Sequence, residues 1–239
     1  MKVTEAVILA GGLGTRLRDA VPDLPKCMAP VNGHPFIVYV IRYLQQQGIT
    51  KFIFSLDYRS EGFIGLLAAT LDKATYSIVI EDEPLGTGGA IQLACKQATA
   101  KDLAVLNGDS IFKVDLQRIA AFHASHNAEC TLALKPMQHF ERYGVVELND
   151  DSSIAVFKEK QSYAEGTING GVYILDRDRF LAKGFPEKFS FETDYLQQYY
   201  SSGNIFGIID EGYFIDIGVP EDYRKAQREM TDVISNIIK

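Results

Sequence analysis

The sequence predicts an α/β fold with a mixed, mostly parallel central sheet, flanking helices and a strand-rich second half. In the first half, short apolar runs alternate with helical patterns, which is typical of parallel strands joined by helices. After about Cys130, strand-like segments follow one another until a helix that begins near Phe191. The chain has 239 residues, of which 46% are hydrophobic, so it is long enough for one large domain with its own core.

The apolar runs of the first half are predicted strands, and the segments between them are predicted helices. Residues 7–10 form a short run with β-branched side chains that stops at Gly11, which predicts a buried strand ending in a loop. The later strands are predicted at 52–56, 76–80 and 103–106, and the helices at 35–47, 61–71 and after 87–89.

The second half is predicted to be mixed, with strands at 130–134, 144–148, 154–157 and 168–175. Its last helix has Pro220 near the first position and acidic residues in the first turn, as helix N-termini favour. Linkers, repeats and low-complexity segments are absent from the sequence. We therefore expect a single domain over 1–239, with two lobes that meet near residue 130.

A glycine-rich turn follows the first predicted strand. Gly11, Gly12 and Gly14 lack the Cβ that would keep backbone N–H groups away from phosphate oxygens. Arg16 and Lys26 follow closely and supply the positive charge that a triphosphate requires. A plain strand-to-helix connection is the simpler interpretation, but the two basic residues favour a nucleoside triphosphate site.

Two common phosphate-binding motifs do not match this turn. The dinucleotide fingerprint needs a third glycine where this chain has Leu17, and no acid occurs between Asp23 and Asp57 to bind a ribose. The P-loop needs a glycine followed directly by lysine and serine or threonine, and the sequence has none. A different class of phosphate site is therefore expected.

Two aspartates follow apolar runs in the manner of metal ligands. Asp109 follows the strand at 103–106, and Asp216 stands between an aromatic run and Gly218. Ligands collect at the carboxyl ends of strands in open α/β sheets, and Mg²⁺ prefers carboxylate oxygens. Asp109 also suits a turn beside Gly108, and Asp216 a helix cap or a turn, so the metal site requires the two residues to converge.

Charge and composition restrict the partners. The net charge of −7 argues against nucleic acid, because no basic stripe is present to release counterions. The sequence has no cleavable-signal pattern and no apolar run near the ~20 residues that span a bilayer. We expect a cytoplasmic protein without a membrane partner. The sequence leaves open whether the protein forms a homo-oligomer.

The cysteines and histidines suggest structural roles. The three cysteines are widely spaced and there are four histidines, which argues against a disulfide framework or a zinc site. Cys27 is expected to be a packing residue. His123 and His126 are expected on a partly exposed helix surface rather than around a metal.

These motifs together resemble the sugar-1-phosphate nucleotidylyltransferases. The matching segments occur in the family's order over nearly the whole chain, at 11–17, 25–26, 84–90, 107–109, 142–145, 157–160, 169–173 and 216–218. Within the family, segments 83–89 and 213–223 look most like the D-glycero-α-D-manno-heptose 1-phosphate guanylyltransferases. The resemblance implies the Rossmann-like nucleotide-diphospho-sugar transferase fold, with a nucleotide-binding lobe at about 1–130 and a sugar-binding lobe with the C-terminal helix at about 131–239.

The resemblance also implies a reaction and its residues. An oxygen of the sugar 1-phosphate attacks the α-phosphorus of a nucleoside triphosphate, giving a nucleotide sugar and pyrophosphate, with Mg²⁺ as cofactor and small molecules as partners. The implied catalytic residues are Arg16, Lys26, Asp109, Lys160 and Asp216, of which Asp109 and Asp216 hold the metal. The implied nucleotide-binding residues are Leu9, Ala10, Gly11, Gly12, Gly14, Thr15, Arg16, Lys26, Glu81, Leu85, Gly86, Thr87, Asn107, Gly108 and Asp109. The implied sugar-binding residues are Tyr143, Gly144, Glu159, Lys160, Asn169, Gly171 and Glu192.

Several alternatives remain open. Glu81 or a close acidic neighbour is expected to read the N–H donors of guanine, although the backbone of 85–88 could read the base instead. Residues 158–160 would suit any solvated strand end, and Glu192 would suit a helix dipole. A uridylyl- or thymidylyltransferase acting on another sugar, such as a hexose or N-acetylmuramate 1-phosphate, is the main alternative function. A non-catalytic nucleotide-sugar-binding regulatory subunit is a more distant one, because the basic and acidic residues of an enzyme are all present.

Overall fold

The computed structural model describes residues 2–11, 17, 21, 24–57, 61–158 and 160–234. Its strands are β1 (Glu5–Leu9), β2 (Pro30–Val31), β3 (His34–Pro35), β4 (Lys51–Leu56), β5 (Tyr76–Ile80), β6 (Asp102–Asn107), β7 (Ser110–Phe112), β8 (Cys130–Phe140), β9 (Val145–Leu148), β10 (Ile154–Lys158), β11 (Tyr163–Asp176), β12 (Ile205–Ile209) and β13 (Phe214–Asp216). Its α-helices are α1 (Phe36–Gln46), α2 (Glu61–Thr70), α3 (Gly86–Cys95), α4 (Leu116–Ser125), α5 (Arg177–Leu181), α6 (Gln197–Tyr199) and α7 (Pro220–Ile234). Short 3-10 helices span Lys26–Met28, Lys73–Thr75 and Tyr200–Ser202, and a π-helix spans Phe191–Leu196.

The first half of the chain builds the parallel part of the central sheet. β1 pairs in parallel with β4 and β6, and β4 pairs in parallel with β5. Neighbouring residues of β1 face opposite sides, as the pleat requires. Ile8 packs in a core cluster with α1, whereas Val7 packs in a second cluster with α3. Both faces are therefore covered, and the predicted mixed α/β fold is confirmed.

The second half extends the same sheet with antiparallel strands. The order is β10-β9-β11-β6-β1-β4-β5, with β8 beside β11 and β12 beside β8. The long strand β11 pairs antiparallel with β6, β8 and β9, so it joins the two halves of the chain. Its register against β8 shifts between Asn169 and Tyr173, and such bulges redirect side chains.

The structure contains elements that the sequence analysis did not predict. β8 and β11 extend well beyond the predicted segments, and β12 completes the sheet at the far side of β8. β7 and β13 pair antiparallel as a separate two-stranded ribbon. Among the described residues, no helix is both long enough and apolar enough to cross a membrane.

Candidate active site

Pocket A lies beyond the carboxyl end of β6, where open α/β sheets collect their ligands. Most of its walls come from residues that the sequence analysis singled out. These are Lys26, Asn107, Asp109, Tyr143, Lys160, Asn169, Gly171, Glu192 and Asp216. The sequence analysis assigned no role to the remaining wall residues, which are Ser110, Arg142, Gly170, Phe214, Gly218 and Val219.

The β7–β13 ribbon brings the two aspartates of pocket A together. Asp216 ends β13 and is the register partner of Ser110, the first residue of β7. Asp109 directly precedes Ser110, and its carbonyl accepts a hydrogen bond from the Ile217 N–H at 3.0 Å. The two aspartates therefore converge, although they are far apart in the chain.

The surroundings of the Asp109 carboxylate raise its pKa. Burial raises its pKa first, the nearby charge of Asp216 raises it further, and Lys26 lowers it in part. The Lys26 ammonium lies 3.4 Å from the Asp109 carboxylate. The two converging carboxylates repel each other, and Lys26 offsets only part of that repulsion. Such a site favours a further cation.

Asp216 is fixed in position through both of its carboxylate oxygens. Oδ1 accepts from the Gly218 N–H at 2.7 Å, and Oδ2 accepts from the Tyr143 hydroxyl at 3.1 Å. A Cβ at Gly218 would lie 2.8 Å from Oδ1, so a larger residue there would displace the Asp216 carboxylate. Burial and the Asp216 charge both raise the pKa of Tyr143, which keeps the phenol protonated and donating.

The opposite wall of pocket A is built on the β11 bulge. Asn169 donates from Nδ2 to the Tyr173 hydroxyl at 2.7 Å and accepts from the Gly171 N–H at 3.0 Å. Gly171 has a φ of +70°, and a Cβ there would lie 2.6 Å from Nδ2 of Asn107. Burial raises the pKa of Tyr173, and the Glu192 charge adds to it. Glu192 and Asn169 therefore approach the buried Tyr173 from the pocket side.

Arg142 lines pocket A and pairs with Asp222, which lies outside the pocket wall. They form an ion pair between the loop before β9 and the first turn of α7. The Arg142 guanidinium also lies 5.5 Å from the centre of the Tyr143 ring, a cation–π distance. Burial lowers the pKa of Arg142, but the hydrogen bond to Asp222 and the nearby negative charges together outweigh it, so the net shift is upward. The pair holds Tyr143 against Asp216.

Pocket B lies at the carboxyl ends of β1, β4 and β5. Its predicted wall residues are Leu9, Gly11, Glu81, Gly86 and Thr87. Its remaining wall residues are Ser55, Asp57, Glu83, Pro84 and Ala90. Leu9, Pro84 and Ala90 give it apolar surface beside polar groups, as a pocket for a flat, partly polar ring requires.

Glu81 is held by two hydrogen bonds in the wall of pocket B. The Ser55 hydroxyl donates to Oε1 at 3.2 Å, and the Leu85 N–H donates to Oε2 at 3.0 Å. Because a carboxylate offers about four lone-pair sites, each oxygen retains capacity for a further donor. Glu81 therefore both fixes the 81–85 loop and presents acceptors to the pocket.

Some predicted residues lie elsewhere. Ala10, Leu85, Gly108 and Gly144 are not among the residues that line either pocket. Gly108 has a backbone role, since its N–H donates to the Leu9 carbonyl at 2.8 Å and ties β6 to β1. Gly12, Gly14, Thr15, Arg16 and Glu159 lie outside the residues that the structure describes.

Two sequence inferences are wrong. Asp57 directly follows β4 and lines pocket B, so the argument that an acid is missing from the end of the next strand fails. The remaining difference between the turn and the dinucleotide fingerprint is then Leu17, which stands in place of the third glycine. His123 is 2% exposed and contacts Thr131 at 2.9 Å and Asp102 at 3.4 Å, rather than lying on a partly exposed surface. Cys27 is buried, as expected.

The chain matches known proteins over nearly its whole length. The family described as Nucleotidyl transferase matches residues 5–233. A D-glycero-alpha-D-manno-heptose 1-phosphate guanylyltransferase from Aneurinibacillus thermoaerophilus is 46% identical over 230 residues, covering 96% of this chain and all of the relative. One of the same name from Campylobacter jejuni is 42% identical over 227 residues, covering 92% and 96% of the two chains. The crystal structure of HddC from Yersinia pseudotuberculosis complexed with GMP-PN has a TM-score of 0.84 at 36% identity, and the match covers 95% of this chain and all of that one. This chain therefore belongs to the nucleotidyl transferase family.

Proposed function

We propose that this protein transfers the guanylyl group of GTP to D-glycero-α-D-manno-heptose 1-phosphate and releases pyrophosphate. Pocket A is the observation that supports this type of reaction, because Lys26 and Lys160 line it together with Asp109 and Asp216. The base and the sugar are proposed from the two relatives that match this chain nearly end to end. The nucleotide is also supported by the GMP-PN complex of a relative.

The proposed chemistry is an in-line displacement. An oxygen of the sugar 1-phosphate forms a bond to the α-phosphorus of GTP as the bond to pyrophosphate breaks. Both reactants are anions, so positioning and charge neutralisation dominate the barrier. Lys26 and Lys160 supply positive charge from distant parts of the sequence, and the reaction needs no side-chain nucleophile.

Asp109 and Asp216 fit the magnesium site that this chemistry uses. They are converging carboxylates, and the Asp216 charge raises the pKa of Asp109. Mg²⁺ prefers such oxygen ligands and keeps waters and substrate phosphates in its other positions. When bound, it would supply positive charge to the phosphate oxygens. No group of three or more potential His, Cys, Asp or Glu ligands occurs in the part of the chain that the structure describes.

The remaining wall of pocket A is proposed to receive the sugar. Asn169, Gly171, Tyr143 and Glu192 surround the space next to Lys160. Carboxylate and amide groups pair well with sugar hydroxyls. Arg16, Gly12, Gly14 and Thr15 keep their proposed triphosphate roles, and Gly144 and Glu159 their proposed sugar roles, as inferences from the family motif.

Pocket B is proposed to receive the guanine base. Within the 85–88 run, the Leu85 N–H bonds to Glu81 and the Gly88 N–H bonds to the Phe189 carbonyl. Glu81 therefore remains the proposed acceptor for the N–H donors of guanine. The amides of Gly86 and Thr87, for which the described residues supply no acceptor, are the alternative readers of the base edge.

The decisive experiment is pyrophosphate release from the purified protein with Mg²⁺, four nucleoside triphosphates and a panel of sugar 1-phosphates. Release with GTP and the heptose phosphate alone is expected. Release with UTP or dTTP would keep the chemistry and reject the proposed base. Binding of nucleotide sugar with no release from any pair would favour the regulatory alternative.

A paired variant tests the base reader. Glu81→Gln is expected to reduce the ratio of GTP to UTP turnover, because an amide replaces one acceptor with a donor. Asp82→Asn is the matched control, since Asp82 does not line either pocket. An unchanged ratio in Glu81→Gln would leave base reading to the Gly86 and Thr87 amides.

The proposed substrates and three buried free cysteines are consistent with a reducing compartment, and we propose the cytoplasm.

A further inference from the structure

The segment 186–192 joins the walls of the two pockets. Glu192 lines pocket A, whereas Gly86 and Thr87 line pocket B. The residue before Glu192, Phe191, donates its N–H to the Thr87 Oγ1 at 3.0 Å. A hydroxyl in the wall of pocket B therefore holds the backbone that carries Glu192 in pocket A.

Phe189 adds three backbone contacts to this connection. Its N–H donates to the Leu85 carbonyl at 3.0 Å, and its carbonyl accepts from the Gly88 N–H at 3.0 Å and, more weakly, from the Gly89 N–H at 3.4 Å. A Cβ at Gly86 would lie 2.6 Å from the Phe189 carbonyl oxygen, and one at Gly88 would lie 2.3 Å from its ring. Close contact with the segment 186–192 therefore explains why positions 86 and 88 are glycines. The two segments pack as one unit.

Phe191 is also fixed from its other side. It is fully buried, and its ring centre lies 5.1 Å from that of Tyr173 and 5.0 Å from that of Tyr195. Phe191 opens the π-helix, where first-turn N–H groups have no partner within the helix. The Ser190 hydroxyl accepts a hydrogen bond from the Thr193 N–H at 3.2 Å, and the Thr87 hydroxyl accepts one from the Phe191 N–H. Glu192 stands between these two fixed points.

We propose that Thr87 is a positioning residue that acts on the sugar 1-phosphate from the wall of the nucleotide pocket. This inference rests on the proposed function. The Thr87 hydroxyl fixes Phe191 and thereby the direction of Glu192 into pocket A. A nucleotide that packs against Gly86 and Thr87 steadies the same unit, so the two substrates bind with positive coupling, which is reciprocal by linkage.

The test compares Thr87→Val with Thr87→Ser. Valine keeps the shape of threonine but removes the acceptor, whereas serine keeps the acceptor and removes a methyl group. Thr87→Val is expected to raise the KM for the sugar 1-phosphate about fivefold, the effect of one lost hydrogen bond, and the KM for GTP much less. Thr87→Ser is expected to restore the sugar KM. An equal rise in both KM values, or a rise for GTP alone, would overturn the proposal.

A double-mutant cycle tests whether Thr87 acts through Glu192. In a Glu192→Gln background, Thr87→Val is expected to add little to the sugar KM, because the group that it positions is already altered. Additive effects would contradict the positioning role. If another substrate pair proves active, the proposed function fails, and the same variants assayed with that pair still test Thr87.

Hydrogen exchange on the unmodified protein provides a test that does not depend on a variant folding. Addition of a non-hydrolysable GTP analogue is expected to slow amide exchange in 84–89 and also in 187–193. Protection confined to 84–89 would refute the coupling. Protection in neither segment would contradict GTP as the nucleotide, and the matching UTP and dTTP analogues would then test the coupling.

Discussion

The glycine at position 171 is required by its backbone and by its neighbour at once. It adopts a φ of +70° on the β11 bulge, and a Cβ there would collide with Asn107. Gly184 has nearly the same conformation, with a φ of +68°, but a Cβ there would meet nothing within 4 Å. A comparison of substitutions at Gly171 and Gly184 therefore separates the cost of backbone strain from the cost of steric collision.

Gly171→Ala is expected to lower the free energy of unfolding by roughly 2–4 kcal/mol, because conformational strain and overpacking add. Gly184→Ala is expected to lose about 1–2 kcal/mol from strain alone. Urea unfolding of both variants measures the difference. Equal losses would show that Asn107 moves aside without cost.

Tyr143→Phe is expected to raise the Mg²⁺ concentration for half-maximal activity about tenfold, as the loss of a hydrogen bond to a metal ligand does elsewhere. Calorimetric titration of Mg²⁺ provides a second readout. Tyr213→Phe is the control, because its hydroxyl also bonds to a carboxylate, that of Glu229 at 3.0 Å, without lining pocket A. A higher sugar KM with an unchanged Mg²⁺ requirement would contradict the role of Tyr143 at the metal site and leave only its proposed contact with the sugar.

Sequence motifs predicted most of the residues that line pocket A but not the contacts between them. Lys26, Asp109 and Asp216 were identified by residue type and by their place after strands. The hydrogen bond from Tyr143 to Asp216 and the ion pair from Arg142 to Asp222 join segments distant in sequence. A pattern read along the chain carries no information on which such side chains meet.

At the scale of elements, the β7–β13 ribbon is an example of structure that the sequence pattern could not predict. Each strand has three residues, too few for a clear alternation of apolar and polar side chains. Their pairing is also long-range, and only the assembled fold brings them together. By contrast, α1 was predicted at 35–47 and lies at Phe36–Gln46, and β5 lies at 76–80 as predicted, whereas β1 starts two residues before its predicted position.

A buried carboxylate ties three elements together at the start of the sheet. Glu5 in β1 accepts from the Thr99 N–H after α3 at 2.8 Å, and Lys51 of β4 lies 3.4 Å away. Burial raises the pKa of Glu5, but the hydrogen bonds from Thr99 and from the Ala100 backbone, together with the Lys51 charge, outweigh it, and the net pKa is lowered. The folded state therefore favours the charged form.

Glu5→Gln is expected to lower the free energy of unfolding at pH 7 by about 1–2 kcal/mol. A lowered pKa contributes stability that is fully present above the unfolded value of about 4.3 and is lost as the pH falls through the folded value. The difference from the unmodified protein should therefore shrink below about pH 4. Urea unfolding across pH 3–7 measures it, with the exposed Glu165→Gln as control. A gap that stays constant with pH would assign the loss to packing.

At the scale of the whole molecule, a chain of net charge −7 is proposed to bind two anions. The proposed nucleotide and metal bind the folded state, so they should stabilise it by mass action. At about 100 times the Kd this is ~2.7 kcal/mol, or a rise in Tm of roughly 5–10 °C for a domain of this size.

The comparison of GTP with Mg²⁺ against GTP with EDTA tests this expectation. Asp216→Asn is expected to lose most of the Mg²⁺-dependent rise in Tm while retaining the rise due to nucleotide alone. Thermal unfolding with and without each ligand measures both. A full Mg²⁺-dependent rise in the variant would place the metal elsewhere.

The position of β11 in the sheet also has a consequence for biosynthesis. β6 pairs with β1 on one side and with β11 on the other. A ribosome completes β6 well before it makes residues 163–176. During that interval β6 is an open edge of a nearly finished parallel sheet, with unpaired backbone groups and apolar faces. A nascent chain halted in that interval is therefore an aggregation-prone species and a natural client for chaperones.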